Sequence, residues 1–395
     1  MATSAAGISL LDAVQRIAPI IQENAAASEQ DRRLSRLTVE AMEGAQLYRM
    51  CKPRSAGGLE IDPITALQVI EAVSRVHTAA AWNLQISVAG FSFAAWLSQE
   101  GALELLEHPD AKMAGAFAPP GRAIPTDGGY IVTGRWPFGS GGHQADWFVA
   151  GSFIYDGGGD EPRKQDNGRP IQLMAMFPAA DLSIPDSWHT MGMRGTGSHD
   201  FAADGVFVPL HRTAAMAPLS KLPAACSSAQ FRLALWFPVA VLAAPALGTA
   251  RAAIDALLEL GRKKTPNYTM AKVSERPVAQ MQLARAEALV GAARAYLYEA
   301  VGDAWKTASE GEFLSQEEKI RIQLAASHAV HSAAEAVELV HATAGTTAIR
   351  EEQPFERHFR DIHVITQHAF SSAARFESAG KLLFGQPTDW PFFEL

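Results

Sequence analysis

The feature that most limits how this chain can fold is that its pattern of apolar residues changes twice along its length, from helical to β and back to helical. Residues 8 to about 110 carry apolar side chains at helical spacing, as in ALQVIEAVSRVHTAAAWNL. From about 115 to 215, short runs of β-forming residues alternate with glycine-rich turns, as in GGYIVTGRW and DGVFVP. Helical spacing returns from about 230 onward. This order predicts an α+β fold.

The pattern also predicts three domains. These are an N-terminal helical domain over 1–114, a small central β-barrel or sandwich over 115–215, and a C-terminal antiparallel four-helix bundle over 216–395. The bundle follows from alanine-rich amphipathic stretches such as PVAQMQLARAEALVGAARAYLYEAV, whose small residues allow helices to approach closely. The polar segment 156–170 is predicted to be a mobile hairpin tip.

Charge and composition exclude several classes of function. The net charge of −8 leaves no basic face for nucleic acid. The chain has neither a GxGxxG nor a GxxxxGK loop, so nucleotide binding by a Rossmann or P-loop unit is not supported. Only Cys51 and Cys226 occur, which indicates a reducing, cytoplasmic setting rather than a disulfide scaffold.

Two segments bear on secretion and membranes. The N-terminus lacks a basic start followed by a continuous apolar core, so no signal peptide is predicted. The uncharged stretch 233–250 is long enough to raise the question of a membrane span. It contains two prolines and has no asymmetric basic flank, so we predict a buried bundle helix and no membrane partner.

Two histidines stand close together in RDIHVITQH near the C-terminus. Histidines that share a metal on one helix face are four residues apart, whereas His363 and His368 are five apart, about 140° round a helix. At most one of them can face a given pocket, and no metal site is predicted. Residue type alone favours a structural role for each.

Several motifs resemble the acyl-CoA dehydrogenase fold superfamily, in order and along nearly the whole chain. They include KPRSAGG near the N-terminus, DGGYIVTGRWPFGSGGHQADWFVAG and TMGMRGTGSHDFAADGVFVP in the β region, and RPVAQMQLARAEAL and HATAGTTAIREEQPFERHFRDIH in the helical region. The resemblance implies that family's helical, β and bundle architecture. It also implies a homotetramer, since HATAG matches a segment that touches a neighbouring subunit's cofactor.

The departures from that family are as informative as the matches. Alignment on Arg360-Asp361 places Ala369 where the dehydrogenases carry a glutamate base, and a methyl group cannot remove a proton. The usual flavin loop is replaced by AFAPPGRA, and the following strand reads RWPFGSG. These replacements are similar to the two-component flavin-dependent monooxygenases, the group D aromatic hydroxylases.

This second resemblance implies a function. Such enzymes take reduced FMN or FADH2 from a separate NAD(P)H:flavin reductase, form a C4a-hydroperoxyflavin with O2, and hydroxylate an aromatic or other hydrophobic small molecule. The route needs a site that excludes water, a partner for the flavin N5–H, and an acid or base near the substrate.

The resemblance also suggests which residues serve these needs. Ser140 is predicted to contact N5, and His368, beside the lost glutamate, to be the catalytic acid/base with a pKa near 6.5. Trp136 and Phe138 either wall the flavin or belong to the β core. Arg194, Thr196 and Ser198 either line the flavin or substrate pocket or form a tight loop, with Arg194 in an ion pair. Substrate contacts are predicted for Trp82, Asn83, Phe91 and Ser92, with core packing as the alternative for the aromatic residues.

Further roles are expected for the remaining residues of the closing segment. His363 is expected to pack or cap, and Arg360 and Asp361 to form a structural pair with each other. Two other functions stay open: a divergent FAD-dependent dehydrogenase or oxidase, which would require a carboxylate base, and a scaffold without catalysis.

Overall fold

The computed structural model of the protein describes residues 5–157 and 159–395. The N-terminal part is helical, because apolar side chains recur at helical spacing and polar caps begin several of the helices. Asp62 caps one helix by accepting a hydrogen bond from the backbone N–H of Thr65 at 2.9 Å. The helices are α1 (Ala5–Glu23), α2 (Ala25–Gln30), α3 (Arg36–Gly44), α4 (Pro63–Val76), α5 (Thr78–Gly90) and α6 (Gln99–Leu106).

The β-forming segments build one six-stranded sheet within the described residues. Its order is β5-β2-β1-β3-β4-β6, in which β1 and β3 are parallel and the other neighbours antiparallel. The sandwich alternative, with two packed sheets, is therefore wrong. The strands are β1 (Met113–Thr126), β2 (Gly129–Trp136), β3 (Trp147–Ile154), β4 (Gln172–Pro178), β5 (Phe201–Pro209) and β6 (Thr213–Ala214).

Trp136 lies at the centre of the sheet's apolar core. Its side chain is fully buried, its ring stacks on Phe201 at 5.3 Å, and its indole N–H donates to the carbonyl oxygen of Gly151 at 2.6 Å. A Cβ on Gly121 would lie 2.4 Å from this ring, so glycine is required there. Of the two roles considered for Trp136, these contacts favour the β core over the flavin wall, because both its ring and its N–H are used inside the protein.

The C-terminal part is helical again. Ser315 and Glu318 form a capping box that begins the long alanine-rich helix α10. The segment Trp236–Lys263 is long and apolar enough to cross a membrane, but 89% of its most apolar window is buried inside the fold. The helices are α7 (Trp236–Val241), α8 (Ala244–Lys263), α9 (Pro277–Ser309), α10 (Gln316–Ala344), α11 (Pro354–Ile365) and α12 (Ala374–Leu383).

One continuous apolar core joins the two helical parts. It includes Leu67 and Val73 of α4 together with Leu247 and Ile254 of α8, all at most 1% exposed. Helices α4 and α8 cross closely at Gly248, where a Cβ would lie 2.5 Å from the carbonyl oxygen of Glu71. This packing holds α5 and α11, which carry candidate site residues, in a fixed relation.

The two helix glycines Gly248 and Gly291 give a matched test of this packing. Gly248→Ala should destabilise the protein by about 1–3 kcal/mol, because the methyl group overlaps α4. Gly291→Ala in α9 should stabilise it by about 0.5–1 kcal/mol, because nothing lies within 4 Å of the added methyl and alanine favours helix. Thermal unfolding of both variants measures the shifts. A Gly248→Ala protein at least as stable as the wild type would contradict the close crossing.

Candidate active site

Predicted residues from four separate segments meet at one place. Trp82 comes from α5, Ser140 from the turn after β2, and Ser198 from the glycine-rich loop before β5. His368 comes from the turn that follows α11, since that helix ends at Ile365. The Trp82 ring lies edge-on to the His368 ring with centroids 5.4 Å apart, and its indole N–H donates to Ser140 Oγ at 3.1 Å. The chain thus brings these four side chains together.

A row of hydroxyl groups runs from Ser140 into the glycine-rich loop. Ser140 Oγ lies 2.7 Å from Ser198 Oγ, which lies 2.6 Å from Thr196 Oγ1, and Thr196 donates to the carbonyl oxygen of Met193 at 2.7 Å. The Trp82 N–H can only donate and the Met193 carbonyl can only accept, so the two ends set the direction of the row. Each hydroxyl group then donates its proton to the next group toward Met193, and every hydroxyl proton is used. Ser140 then has one acceptor position left.

Asn83 ties the same loop to α5. Its amide Nδ2 donates to the carbonyl oxygen of Thr196 at 3.1 Å, and the backbone N–H of Gly141 donates to the same oxygen at 3.0 Å. The amide oxygen Oδ1 of Asn83 is buried and has no hydrogen-bond partner in the described structure. An unused buried acceptor is costly, so this oxygen is a natural contact for a bound molecule.

Two non-glycine residues of the site adopt left-handed backbone conformations. Phe138 has a φ of 66° and Met193 a φ of 55°. Such conformations are strained for side-chain-bearing residues and concentrate at functional sites. The Phe138 ring is 64% exposed, touching Trp188 only edge-on at 6.2 Å. Of the two roles considered for Phe138, this exposure favours an aromatic wall over a place in the β core.

His368 is neutral in this environment. Its ring is enclosed between Trp82 and Phe370, and burial lowers the pKa of His368 to about 4. This value lies below the pKa near 6.5 that the sequence led us to expect. The backbone N–H of Phe370 donates to Nδ1 of His368 at 3.2 Å, so the single proton of the neutral ring lies on Nε2. At neutral pH the side chain is a hydrogen-bond donor through Nε2.

Other predicted site residues lie outside this group. Phe91 is buried with the ammonium group of Lys52 3.7 Å above its ring, and Ser92 Oγ is buried without a partner in the described structure. Arg194 is exposed and donates through Nε to the carbonyl oxygen of Thr190 at 2.9 Å, so the expected ion pair is replaced by a bond to the loop backbone. Phe91 directly follows α5 and belongs to a separate buried apolar cluster.

The closing segment differs from expectation at its Arg-Asp pair. Arg360 bonds to Glu356 and to Glu29, whose oxygens lie 2.6 and 3.2 Å away, rather than to Asp361. Asp361 is fully buried and accepts the backbone N–H of Met193 at 2.6 Å. His363 bonds to Glu338 of α10 at 3.0 Å and packs on Phe359, away from His368.

Asp361 is a site residue whose role the sequence interpretation missed. Burial raises the pKa of Asp361 to about 7, and Glu29 adds to the effect, while the Met193 N–H and two arginines, Arg357 and Arg360, oppose it. Its bond to Met193 fixes the loop that carries Thr196 and Ser198. The motif Arg-Asp was visible in the sequence, but only the fold shows that the aspartate faces the loop.

An aromatic wall beside His368 was also missed. Phe370 lies 5.6 Å from the His368 ring, 6.0 Å from Phe117 of β1 and 5.1 Å from Phe392 near the C-terminus, measured between ring centroids. The only signal in the sequence was the aromatic cluster in DWPFFEL at the end of the chain. Its distance along the chain from the other segments hid the contact.

Comparison with known proteins agrees with this geometry. A family model for the acyl-CoA dehydrogenase C-terminal domain matches residues 240–373. The chain is 32% identical to an indole-3-acetate monooxygenase of Pseudomonas putida, over 91% of this chain and 89% of that protein. It is 28% identical to the flavin-dependent monooxygenase oxygenase subunit HsaA of Mycobacterium tuberculosis, over 96% of both. The structure of XiaF from Streptomyces sp. with FADH2 and glycerol superposes with a TM-score of 0.91 at 27% identity, covering 98% of both chains.

Asp361→Asn tests the buried carboxyl through its effect on stability. With a pKa raised to about 7 against about 3.9 unfolded, folded Asp361 keeps a proton that the unfolded chain loses. Its contribution to stability therefore falls as the pH rises from about 4 to 7, by at most about 1.4 kcal/mol per pH unit, and is constant above. The melting temperature of the variant relative to the wild type should rise between pH 5 and pH 8.

The exposed residue Asp204 of β5 provides the control, because Asp204→Asn removes a carboxyl group from the surface and leaves the buried one in place. A difference in melting temperature for Asp361→Asn that does not change with pH would show that Asp361 has no raised pKa. Glu29, Arg357 and Arg360, which face Asp361, are unchanged in both variants.

Proposed function

The chain belongs to the flavin-dependent monooxygenase oxygenase components, and from this premise we propose that it is the oxygenase of a two-component system, using reduced flavin and O2 to hydroxylate an aromatic or other hydrophobic small molecule. The observation that carries the proposal is the directed hydroxyl row that ends at Ser140, beside a neutral His368. Relatives act on indole-3-acetate and on hydroxylated aromatics, and XiaF binds FADH2.

The residues present are suited to a reduced flavin. Bound reduced flavin supplies the two electrons and, with O2, the oxygen atom that reaches the substrate, the second oxygen leaving as water. The free acceptor position of Ser140 matches the N5–H that only reduced flavin carries. Phe138 offers an exposed aromatic face in a strained loop that a bound ring would cover. The hydrogen bonds among Ser140, Ser198 and Thr196 fix the orientation of the Ser140 hydroxyl group. Arg194 lies in the same loop with its side chain exposed.

His368 supplies a proton donor rather than a base. Its Nε2–H is the free polar group of the ring, because Nδ1 is held by the backbone of Phe370. A neutral donor can hydrogen-bond to an oxygen atom in the water-poor site and orient it toward the substrate. This assigns His368 a catalytic role and leaves His363 a structural one.

The substrate is proposed to lie against the aromatic wall. Trp82 and Phe370 lie against the His368 ring, and Phe117 extends the aromatic surface beyond Phe370, which suits a planar apolar molecule. The buried Oδ1 of Asn83 and the Oγ of Ser92 lack partners and are available to polar substituents. Phe91 belongs to the buried apolar cluster on which Phe117 packs, and the ammonium group of Lys52 lies 3.7 Å above its ring.

The competing functions find less support in the site. A dehydrogenase or an oxidase of the nitroalkane type needs a carboxylate base at the flavin, and Ala369 occupies that position. Asp361 is buried and bonded to Met193 instead. A scaffold without catalysis would have no reason to retain a strained loop, a directed hydroxyl row and an unused donor on His368.

Finer features of the proposal rest on the family resemblance. They are a homotetramer, a separate NAD(P)H:flavin reductase, and a cytoplasmic setting without nucleic acid or membrane partners. The three-domain division at 114 and 215 and the antiparallel four-helix bundle belong to the same proposal. The apolar packing of α8 against α10 and α11 is consistent with such a bundle.

The decisive experiment is anaerobic stopped-flow absorbance. The protein is loaded with reduced FMN, or in a second series with FADH2, and mixed with O2. We expect an absorbing phase distinct from oxidised flavin that outlasts the reaction of free reduced flavin, followed by oxidised flavin. Oxidised flavin forming at the rate of free flavin in both series would reject the monooxygenase function.

Ser140→Ala should weaken reduced flavin binding selectively. Loss of one buried hydrogen bond, worth about 1–1.5 kcal/mol, corresponds to about a tenfold rise in Kd for reduced FMN, with little change for oxidised FMN. Anaerobic fluorescence titration measures both. Ser152→Ala, which removes another buried serine hydroxyl that has no partner in the described structure, is the control. Equal weakening of both redox forms would argue against an N5–H contact.

His368 variants separate a donor from a base. His368→Gln, which keeps an N–H donor, should retain part of the coupling of NADH oxidation to product, and His368→Ala should lose it at least tenfold. Because the pKa of His368 is about 4, the wild-type coupling should show no His368 ionisation between pH 5.5 and 8. An ionisation near pH 6.5 that disappears in both variants would identify a base instead.

A further inference from the structure

The last residues of the chain form a fixed part of the candidate site. After α12 the chain turns back, and the side chain of Phe393 is buried against Trp236, with ring centroids 5.2 Å apart. Lys319 of α10 donates to the backbone oxygen of Leu395 at 2.6 Å. These two contacts hold Trp390 and Phe392 in place.

Trp390 lies one aromatic ring away from His368. The centroid of Phe370 is 5.6 Å from that of His368 and 5.5 Å from that of Trp390. Phe392 lies 5.1 Å from Phe370 and 4.6 Å from Trp390. Phe370 thus lies between His368 and Trp390 and contacts both rings.

Three donor nitrogens at this position have no hydrogen-bond acceptor within the described residues. The guanidinium carbon of Arg375, in the first turn of α12, lies 3.6 Å from the Trp390 ring centroid. Its Nε and Nη1 are buried without a hydrogen-bond partner in the described structure, and the indole Nε1 of Trp390 is in the same state. The two side chains thus place unused donors side by side.

The neighbouring carboxylates are bound to other groups. Asp389 accepts from Ser378 Oγ and from Lys381 Nζ, each at 3.0 Å, and Glu377 pairs with the same Lys381 at 3.0 Å. Burial lowers the pKa of Arg375, and these two carboxylates only partly oppose the effect. A guanidinium keeps its charge even so, and leaving a half-buried cation with unused donors is costly.

We propose that Arg375 and Trp390 form a recognition site for an anionic oxygen group, a carboxylate or a phosphate, on the molecule bound beside His368. The planar guanidinium offers two N–H groups to two oxygens at once, and the indole N–H adds a third bond. The inference rests on the proposed function, because the anion belongs either to an aromatic substrate that carries a carboxylate or to the phosphate of the reduced flavin. The site would select the charged member of each class over its neutral analogue.

Paired ligands identify the source of the anion. Indole-3-acetate and indole-3-acetamide differ in the carboxylate, and reduced FMN and reduced riboflavin differ in the phosphate. Calorimetric binding to the full-length protein, anaerobic for the flavins, should show at least a tenfold preference for the anion in one pair. Arg375→Gln should remove that preference and leave the affinity for the neutral member of the pair unchanged.

Graded variants test the geometry of the contact. Arg375→Lys keeps the charge but loses the planar pair of donors, so it should retain part of the preference. Trp390→Phe keeps the ring and loses one donor, so it should lower the preference severalfold. Arg36→Gln is the control: it removes an arginine on α3 whose side chain is 85% exposed, and it should leave the preference for the anion unchanged in both ligand pairs.

Three results would overturn the site. The first is no preference for the anion in either pair, and the second is equal weakening of charged and neutral members by Arg375→Gln. The third is a change of molar mass in light scattering caused by Arg375→Gln, which would mean that a second copy of the chain satisfies these donors. The binding measurements do not require catalytic turnover. The stopped-flow test can therefore reject the oxygenase function while the anion preference is still found, and the anion preference can be absent while the oxygenase function is confirmed.

Discussion

The hydrogen bond between the backbone N–H of Met193 and the buried carboxyl of Asp361 determines how the rest of the site is arranged. The glycine-rich loop has no regular structure of its own beyond a single short turn at Arg194–Thr196. It is held at Met193 by α11, at Thr196 by Asn83 of α5, and at His199 by the backbone of Arg32. Asp361 holds the N–H of Met193, and the indole N–H of Trp188 donates to the Met193 carbonyl oxygen at 3.0 Å, so the acceptor at the end of the hydroxyl row is fixed from two sides.

The electrostatic character of the site follows from burial. His368 is neutral because burial opposes its charge, and Asp361 has a raised pKa for the same reason. The polar groups around His368 and the hydroxyl row are therefore neutral donors and acceptors of fixed direction. Such groups stabilise charge that develops during a reaction without needing to reorganise. They also avoid the water that charged groups would draw into the site.

Periodicity in the sequence predicted the α+β class and the order of its parts, because helix and strand patterns are local. The resemblance led to His368 and Ser140, which the structure brings together through Trp82. Local pattern could not show that Asp361 faces the loop rather than Arg360, nor that Phe392 and Trp390 reach Phe370. The first contact joins residues far apart in sequence, and the second depends on how the chain turns back after α12. The role of Trp136 was also beyond the sequence, since an aromatic residue at a strand end is equally suited to a core and to a cofactor wall.

Position 369 shows how one fold can support a different chemistry. The dehydrogenases that the chain resembles carry a carboxylate base at the corresponding position, and a charge there would compete with the neutral donor on His368. Alanine carries no charge, and Ala369 is exposed next to His368 in the chain. The proton that matters then belongs to Nε2 of His368, whose tautomer is set by the N–H of Phe370. Phe370 also begins the aromatic wall that leads to Trp390 and Arg375. Phe370 therefore fixes the Nε2–H donor of His368 and also packs against Trp390, one of the two residues proposed to bind the anionic group. The donors proposed for the two ends of a bound molecule are thus positioned by the same residue.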